Sequence, residues 1–406
     1  MVFSDLKGTF GSVIRTAVFS ALQREDLYKS VAETYQAVDW FPPTRDQGDS
    51  AIQIDGSVLE GGGQILRSSV ACAVILNRSV RVINIRAGRP KPGLSNQHLA
   101  GIHLAAELSN GRLSRCELGS TELTLSPSLI RSGVFEADAK TAGSVCLLLQ
   151  VAVPILAYAK GTSTLTVKGG TDALWAPPID YISEVAFHYF KMMGLNCTNK
   201  IIRRGFYPQG GGIVQTEVNG LKCPLTCLKI TELGSATRIT GHAFVAGRVP
   251  IRVAQEMKDE ACKCFAHAFP NCPIQLEAFR EDDQRCSGNI ATFLFIIHTS
   301  NNCRLAVSAI SNPRGPPNRQ LVKEAVDKLS SLVRVGACCD ENMQDQLIMM
   351  MALASGKSTI RTSPLTLHTR TAIFVMEQML PVKFNVEECA NGSVVISCDG
   401  VGQIPS

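Results

Sequence analysis

The sequence predicts an α+β chain of repeated units with a smaller α/β domain set among them, and three observations carry that expectation. Helix-length apolar segments alternate with short strand-like ones from about residue 52 onward. Glycine doublets or triplets punctuate the chain at 61–63, 169–170 and 210–212, as they would at equivalent turns of repeated units. Between about Gly234 and Val333 the texture changes, and the earlier style then returns.

Taken in order, residues 1–50 form an appendage. Residues 13–33 have helical character, and Phe41-Pro42-Pro43 followed by a polar run to Ser50 reads as a linker. Residues 64–76 have helical length and apolar spacing, 80–85 alternate like a strand, and 97–108 are helical again. Next come a buried helix at 144–157, a strand at 163–167 and an amphipathic helix at 179–193. Residues 197–202 and 213–218 read as a strand pair around the turn Pro208-Gln209-Gly210-Gly211-Gly212. Within the changed segment, 251–268 and 320–333 read as helices and 274–278 and 292–298 as strands. The remainder reads as helix 342–354, strand 358–362, helix 369–379 and strands 382–386 and 393–398. The expected domains are therefore 1–50, a main body of 51–233 with 334–406, and a small α/β domain at 234–333.

Composition narrows the function. A chain of 406 residues with 45% hydrophobic and 18% charged residues is an ordinary globular protein with room for more than one domain. The formal net charge of +5 is mild, so contact with nucleic acid is expected at a local site rather than over a basic coat, with a shallow salt dependence. Fifteen cysteines, an odd count at irregular spacing without a secretory signal, point to free thiols in a reducing compartment. Cys262, Cys264, His267 and Cys272 match no common zinc spacing. No apolar run reaches the roughly 20 residues of a bilayer span; 145–158 is too short and contains Gln150 and Pro154. Cytosol or nucleus is the expected compartment.

The stretch from Asp55 to Leu99 carries the chemistry. Glu60-Gly61-Gly62-Gly63-Gln64 is followed by Arg67, Arg86, Arg89 and Lys91. Glycine is entropically costly, so a run of it suits backbone with a positive φ or a close approach to a ligand. Guanidinium forks match phosphate oxygens, and a carboxylate beside them suits a divalent ion. The triplet is neither a dinucleotide fingerprint nor a P-loop, since G-x-G-x-x-G and G-K-[ST] are absent.

With further motifs, the chain resembles the RNA 3′-terminal phosphate cyclases. The matching residues begin with Asp55-Gly56, the run from Glu60 to Arg67, Ile85-Arg86-Ala87-Gly88-Arg89-Pro90-Lys91-Pro92-Gly93-Leu94, and Gln97-His98-Leu99. They continue with Ala142-Gly143-Ser144, Gln150, Gly169-Gly170-Thr171-Asp172, Ala176-Pro177-Pro178, Gly205-Phe206-Tyr207-Pro208 and Gly210-Gly211-Gly212. Asp345-Gln346-Leu347 and the segment around His368 complete the set. The resemblance spans 52 to about 400. It implies three units, each a four-stranded sheet backed by two helices, with a smaller domain inserted before the last. It also implies ATP-dependent conversion of an RNA 3′-phosphate into a 2′,3′-cyclic phosphate through a histidine–AMP intermediate.

Carried residue by residue, the resemblance makes His368 the nucleophile, at the start of a helix where free N–H groups favour phosphate. Gln150, Pro177, Asp345, Gln346 and His368 map to the ATP site, with Pro177 packing on one adenine face. Asn342 stands where relatives often carry an aromatic residue, and an asparagine cannot stack, which would remove roughly 1–3 kcal/mol of base contact. Arg67, Arg86, Arg89 and Gln97 would bind the RNA end, and Glu60 a magnesium or manganese ion. His98 and His103 lie on a helix near the site, and His298 ends an apolar strand where a structural role is expected. The partners implied are RNA 3′-phosphate ends and ATP, in the nucleoplasm with the cytoplasm also open; oligomeric state is not legible. Two rivals share the architecture: non-catalytic cyclase-like factors of ribosome biogenesis, which lack the histidine and much of the arginine set, and enolpyruvyl transferases. The presence of His368, Glu60, Arg67, Arg86 and Arg89 favours the cyclase.

Overall fold

The structure, a computed structural model, describes residues 51–312 and 314–405. The helix and linker expected within 1–50 lie outside the described residues.

The first sheet is built from β1 (Ile52–Asp55), β2 (Val80–Ile83), β3 (Arg112–Ser114) and β4 (Leu123–Ser126), with α1 (Gly63–Leu76) following β1 and α2 (Asn96–Leu108) following β2. Its order is β1-β2-β4-β3, with β1 and β2 parallel and the other pairs antiparallel. The second sheet takes β5 (Val134–Asp138), β6 (Thr162–Gly169), β7 (Cys197–Gly205) and β8 (Gly212–Asn219). Here α3 (Val145–Ala157) follows β5. The helix after β6, α4, runs through Ile179–Tyr181, a π turn at Ile182–Ala186 and Phe187–Met192. The order β5-β6-β8-β7 and the parallel first pair match the first sheet.

A third sheet begins with the short strand β9 (Lys229–Ile230), but the chain then departs into a fourth. That one contains β10 (Ala236–Ala246), β11 (Ile274–Arg280), β13 (Ile290–Thr299) and β14 (Arg304–Ile310) in the order β11-β10-β13-β14. It carries α5 (Ile251–Ala268) and α6 (Asn318–Arg334), while the two-residue β12 (Cys286–Ser287) joins the edge of the second sheet beside β7. The third sheet then resumes with α7 (Glu341–Leu353), β15 (Ser355–Thr362), α8 (Leu367–Met379), β16 (Phe384–Glu388) and β17 (Val394–Val401), ordered β9-β15-β17-β16. Its β9–β15 pair is parallel and its other pairs antiparallel.

The core lies where the helices of the three sheets meet. α1 packs on α2, α3 and α8, and α7 packs on α8 and on the π turn of α4. The sequence explains why this layer is dry: Val145, Leu148, Leu149, Val151, Ala152, Ile155 and Leu156 of α3 are all essentially inaccessible, each fully buried Val, Leu or Ile contributing about 1.5–3 kcal/mol of transfer free energy. No helix among the described residues is long and apolar enough to cross a membrane.

Differences from the sequence reading follow local rules. The helix expected at 369–379 begins two residues earlier, because Thr366 caps it by accepting from the Thr369 backbone N–H. The amphipathic helix at 179–193 is real in extent but interrupted by the π turn. β10 was not expected: Gly241 in its middle breaks the run of side chains that marks a strand.

Candidate active site

Glycines at 61–63 set the stage. Gly61 has a φ of +57°, the left-handed region. Gly63 opens α1, and a Cβ there would meet His98 Nε2 at 2.6 Å and Arg67 Nη1 at 3.0 Å. The positive φ expected of the triplet is met at Gly61, while Gly63 makes room for the side chains of His98 and Arg67. The next residue, Gln64, is buried and reaches across two helix contacts. Its amide Nε2 donates to Asp345 Oδ2 at 2.9 Å, and its Oε1 lies 2.5 Å from His368 Nδ1.

This amide decides the histidine tautomer. An ionised carboxylate only accepts, so the Gln64 nitrogen faces Asp345 and its oxygen faces the imidazole. In the neutral ring Nδ1 of His368 then donates, and the lone pair is on Nε2. His368 is the second residue of α8, and its side of the helix end is solvent-accessible. The unpaired N–H groups of that first turn favour an anion beside it. A second buried amide, Gln344, holds the turn in place. It accepts from the Thr366 N–H at 3.0 Å and from the Thr369 hydroxyl, and donates to Thr362 Oγ1 at 2.7 Å.

Cations gather on the other side. Arg67 is partly buried; its Nε donates to Gln150 Oε1 at 3.1 Å. Burial pulls the Arg67 guanidinium below its ordinary range, against the opposing charges of Asp345 and Glu60. Burial also raises the Asp345 carboxyl, with His368 and Arg67 holding it back. Arg86, at a φ of +54°, donates to the Gly93 carbonyl at 2.9 Å. Arg89 donates to the Glu60 carbonyl at 2.9 Å and pairs with Glu60 Oε1. His98 is pushed down to about 4, by burial first and then by Arg86 and Arg67, so it is neutral near pH 7. Its Nδ1 accepts from the Ser95 backbone N–H at 3.2 Å. The ring proton therefore sits on Nε2, beside Gly63 and Arg67, where it can be donated to a phosphate oxygen.

Glu60 passes one test for a divalent ion. Its backbone N–H donates to Thr371 Oγ1 at 3.2 Å and its Oε1 is engaged by Arg89, but Oε2 is buried with no hydrogen-bond partner. An orphan carboxylate oxygen of this kind suits a hard cation. Among the described residues no group of three or more His, Cys, Asp or Glu forms a cation cage. An ion at Glu60 would thus need oxygens from a bound phosphate and water, which is how magnesium is commonly held. Cys262, Cys264, His267 and Cys272 likewise form no such group.

A narrow cavity of about 50 Å³ opens beside these groups, with Gln64, Arg67, Gln150, Asp345 and Gln346 as its polar wall. Its apolar wall includes Phe187 and Phe190 of α4, whose ring centroids are 6.3 Å apart, and Met349. Pro154 also lines it; lacking an N–H, it leaves the Gln150 carbonyl without its helical donor.

Of the residues singled out in the sequence, Gln150, Asp345, Gln346 and Arg67 line this cavity, and His368 is tied to it through Gln64. Asn342 lies one turn before Gln346, exposed, its carbonyl accepting from Gln346 Nε2 at 2.5 Å. Gln97 lines a smaller adjoining void with Arg67 and His98. Pro177 is buried in the loop before α4 and does not line the cavity. Gln64, Phe187 and Phe190 were not assigned a role from sequence. Gln64 stood in the glycine motif itself, and the two phenylalanines recur at i and i+3 on one helix face, a spacing that core packing also explains.

The model of the RNA 3′-terminal phosphate cyclase family matches residues 58–386. A protein named RNA 3′-terminal phosphate cyclase from Drosophila melanogaster is 38% identical over 359 residues, 88% of this chain and 98% of its own. A Dictyostelium discoideum protein named probable RNA 3′-terminal phosphate cyclase is 37% identical over 388 residues, 93% of this chain and 87% of its own. A Pyrobaculum neutrophilum protein with the cyclase name is 36% identical over 354 residues, 87% of this chain and 99% of its own.

Proposed function

The chain belongs to the RNA 3′-terminal phosphate cyclase family, and from that membership we propose that it converts RNA 3′-phosphate ends to 2′,3′-cyclic phosphates with ATP, through an adenylylated His368. The observation that carries the reading is the Asp345–Gln64–His368 relay, which presents Nε2 of the imidazole as a free lone pair.

In the first step Nε2 of His368 attacks the α-phosphorus of ATP; the N–P bond forms as the bond to the β-phosphate oxygen breaks, and pyrophosphate leaves. Nδ1 keeps its proton on Gln64, so the positive charge that develops on the ring is met by the amide oxygen and, behind it, Asp345. An oxygen of the RNA 3′-phosphate then attacks the same phosphorus and displaces neutral imidazole. Finally the neighbouring 2′-oxygen attacks the RNA phosphorus, its proton passing to solvent, and AMP leaves. Arg67 and Arg86 suit the phosphate groups by charge and fork geometry, and His98 Nε2–H suits a further phosphate oxygen. A divalent ion at Glu60 would supply charge neutralisation between the phosphates of the two substrates. Phe187, Phe190 and Met349 provide apolar surface for the base, in place of the aromatic residue missing at Asn342.

On the same reading, the three sheets of shared strand order are repeated units, and 234–333 is a domain inserted between β9 and α7. The enzyme would act in the nucleoplasm. The test is chemical. Protein incubated with ATP labelled at the α-phosphate and magnesium should acquire a label that is acid-labile and alkali-stable, as a phosphoramidate is. His368→Ala should remove it. Wild-type protein without label, or label retained in the variant, would sink the mechanism.

A further inference from the structure

Across α4 from the candidate active site lies a second, larger cavity of about 350 Å³. Thr237 and Arg238 at the start of β10 line it, with His298 and Thr299 at the end of β13 and Asn302 and Arg304 beyond it. Cys303 completes the lining. The wall is rich in donors and contains no carboxylate. α4 divides the two cavities: Ile182, Phe187 and Phe190 face the first, whereas Glu184 and His188 reach toward the second. His188 Nε2 bonds the Asn302 carbonyl at 2.7 Å, and Arg304 contacts the Glu184 carbonyl.

The charge here is not balanced. Glu184 is the one acidic side chain among the described residues that pairs with the lining, 3.6 Å from Arg304 Nη1 and largely exposed. The Arg238 side chain, unlike its backbone in the β10–β13 ladder, makes no hydrogen bond or ion pair to any described residue. Burial, followed by the charges of Arg304, Arg238 and His188, pushes His298 down to about 4. Burial also lowers Arg304, with Arg238 adding to the effect. Two guanidiniums thus face one hollow, and each raises the free energy of its cationic neighbours. Such an arrangement is relieved by an anion. His298 itself is held by Thr240 Oγ1 at 2.7 Å, as its structural role requires.

We propose that this cavity is a second binding site, for a phosphate group, gripped by Arg238 and Arg304 with the Thr299 hydroxyl and the Asn302 amide beside them. Guanidinium forks and hydroxyls suit a tetrahedral oxyanion. The volume is at the small end of organic-ligand sites, so the phosphate would carry a body of about nucleotide size. The site is independent of the reading given above for His368, because it shares no residue with that centre.

Arginine modification tests it. In phosphate- and borate-free buffer, phenylglyoxal should modify Arg238 of the full chain, as read by peptide mass spectrometry. Saturating inorganic phosphate, AMP or a 3′-hydroxyl oligoribonucleotide should slow that modification by roughly tenfold, about what one charge-assisted contact confers. Protection by inorganic phosphate and AMP alone marks a free phosphoester as the ligand; protection by the oligonucleotide at lower concentration marks an RNA backbone phosphate. Arg304→Gln should abolish protection of Arg238. Modification of Arg238 at one rate with all three probes in the wild-type protein overturns the proposal. So does protection that persists undiminished in Arg304→Gln.

Discussion

One amide holds Nδ1 of His368 and leaves Nε2 as the nitrogen that would react on the proposed mechanism. Replacing Gln64 with leucine removes the acceptor for Nδ1–H, and single-turnover adenylylation at saturating ATP should fall by roughly 10²-fold, in the range that positioned proton-bearing groups contribute. An unchanged rate would mean that the relay is only structural. His98 offers a second measurement. Its folded pKa of about 4 lies below the unfolded value near 6.5, so below pH 6.5 the unfolded chain binds the proton that the folded chain refuses. The stability that comes with a neutral His98 is fully present above pH 6.5 and is lost as the pH falls toward 4, by about 3 kcal/mol. In urea titrations at a series of pH values, His98→Asn should therefore gain on the wild type by about that amount between pH 6.5 and 4. Parallel curves would place the His98 ring in water. At this scale the sequence showed which residue types are present, among them Glu60, Arg67 and His368, but not that Arg89 is held by Glu60 or that Arg67 is bound by Gln150.

The helices carry these residues to one place, and their ends matter more than their middles. α8 starts at Leu367 because Thr366 caps it, and this sets His368 in the first turn with free N–H groups beside it. Thr366→Ala should lower stability by about 1 kcal/mol in thermal or chemical unfolding, and should slow adenylylation more than it weakens ATP binding. Equal losses in both would show that the cap serves the fold alone. The extents of α1 and α5 were readable because apolar spacing and clear boundaries coincide there, and that of α3 because its nearly continuous apolar run has helical length. The π turn in α4 was not, since an i→i+5 hydrogen bond leaves no composition signal.

A buried cation is among the ties between the body of the fourth sheet and the second. Arg204 at the end of β7 binds Asp180 at the start of α4 through Nη1 at 2.6 Å and Nη2 at 3.0 Å, and Glu281 after β11 through Nε at 2.8 Å. Its guanidinium also lies 4.6 Å over the Phe244 ring. Arg204→Met would leave these carboxylates buried and unpaired, so it should destabilise the protein by about 3–5 kcal/mol in equilibrium unfolding; a loss below 1 kcal/mol would show that water replaces the guanidinium there. Nothing in the sequence marked Arg204 out from the neighbouring Arg203, because burial distinguishes them and burial belongs to the assembled molecule. The ordered motifs from Glu60 to His368, by contrast, depend only on residue identity and spacing along the chain. They were enough to determine the family and to single out Arg67, Gln150, Asp345 and Gln346 among the residues now found around the cavity. The tertiary structure alone decided which groups His368 meets. Gln64 and His368 are 304 residues apart in the chain and Gln64 and Asp345 are 281 apart, and a proton is placed by partners a few ångströms away, whatever their separation in sequence.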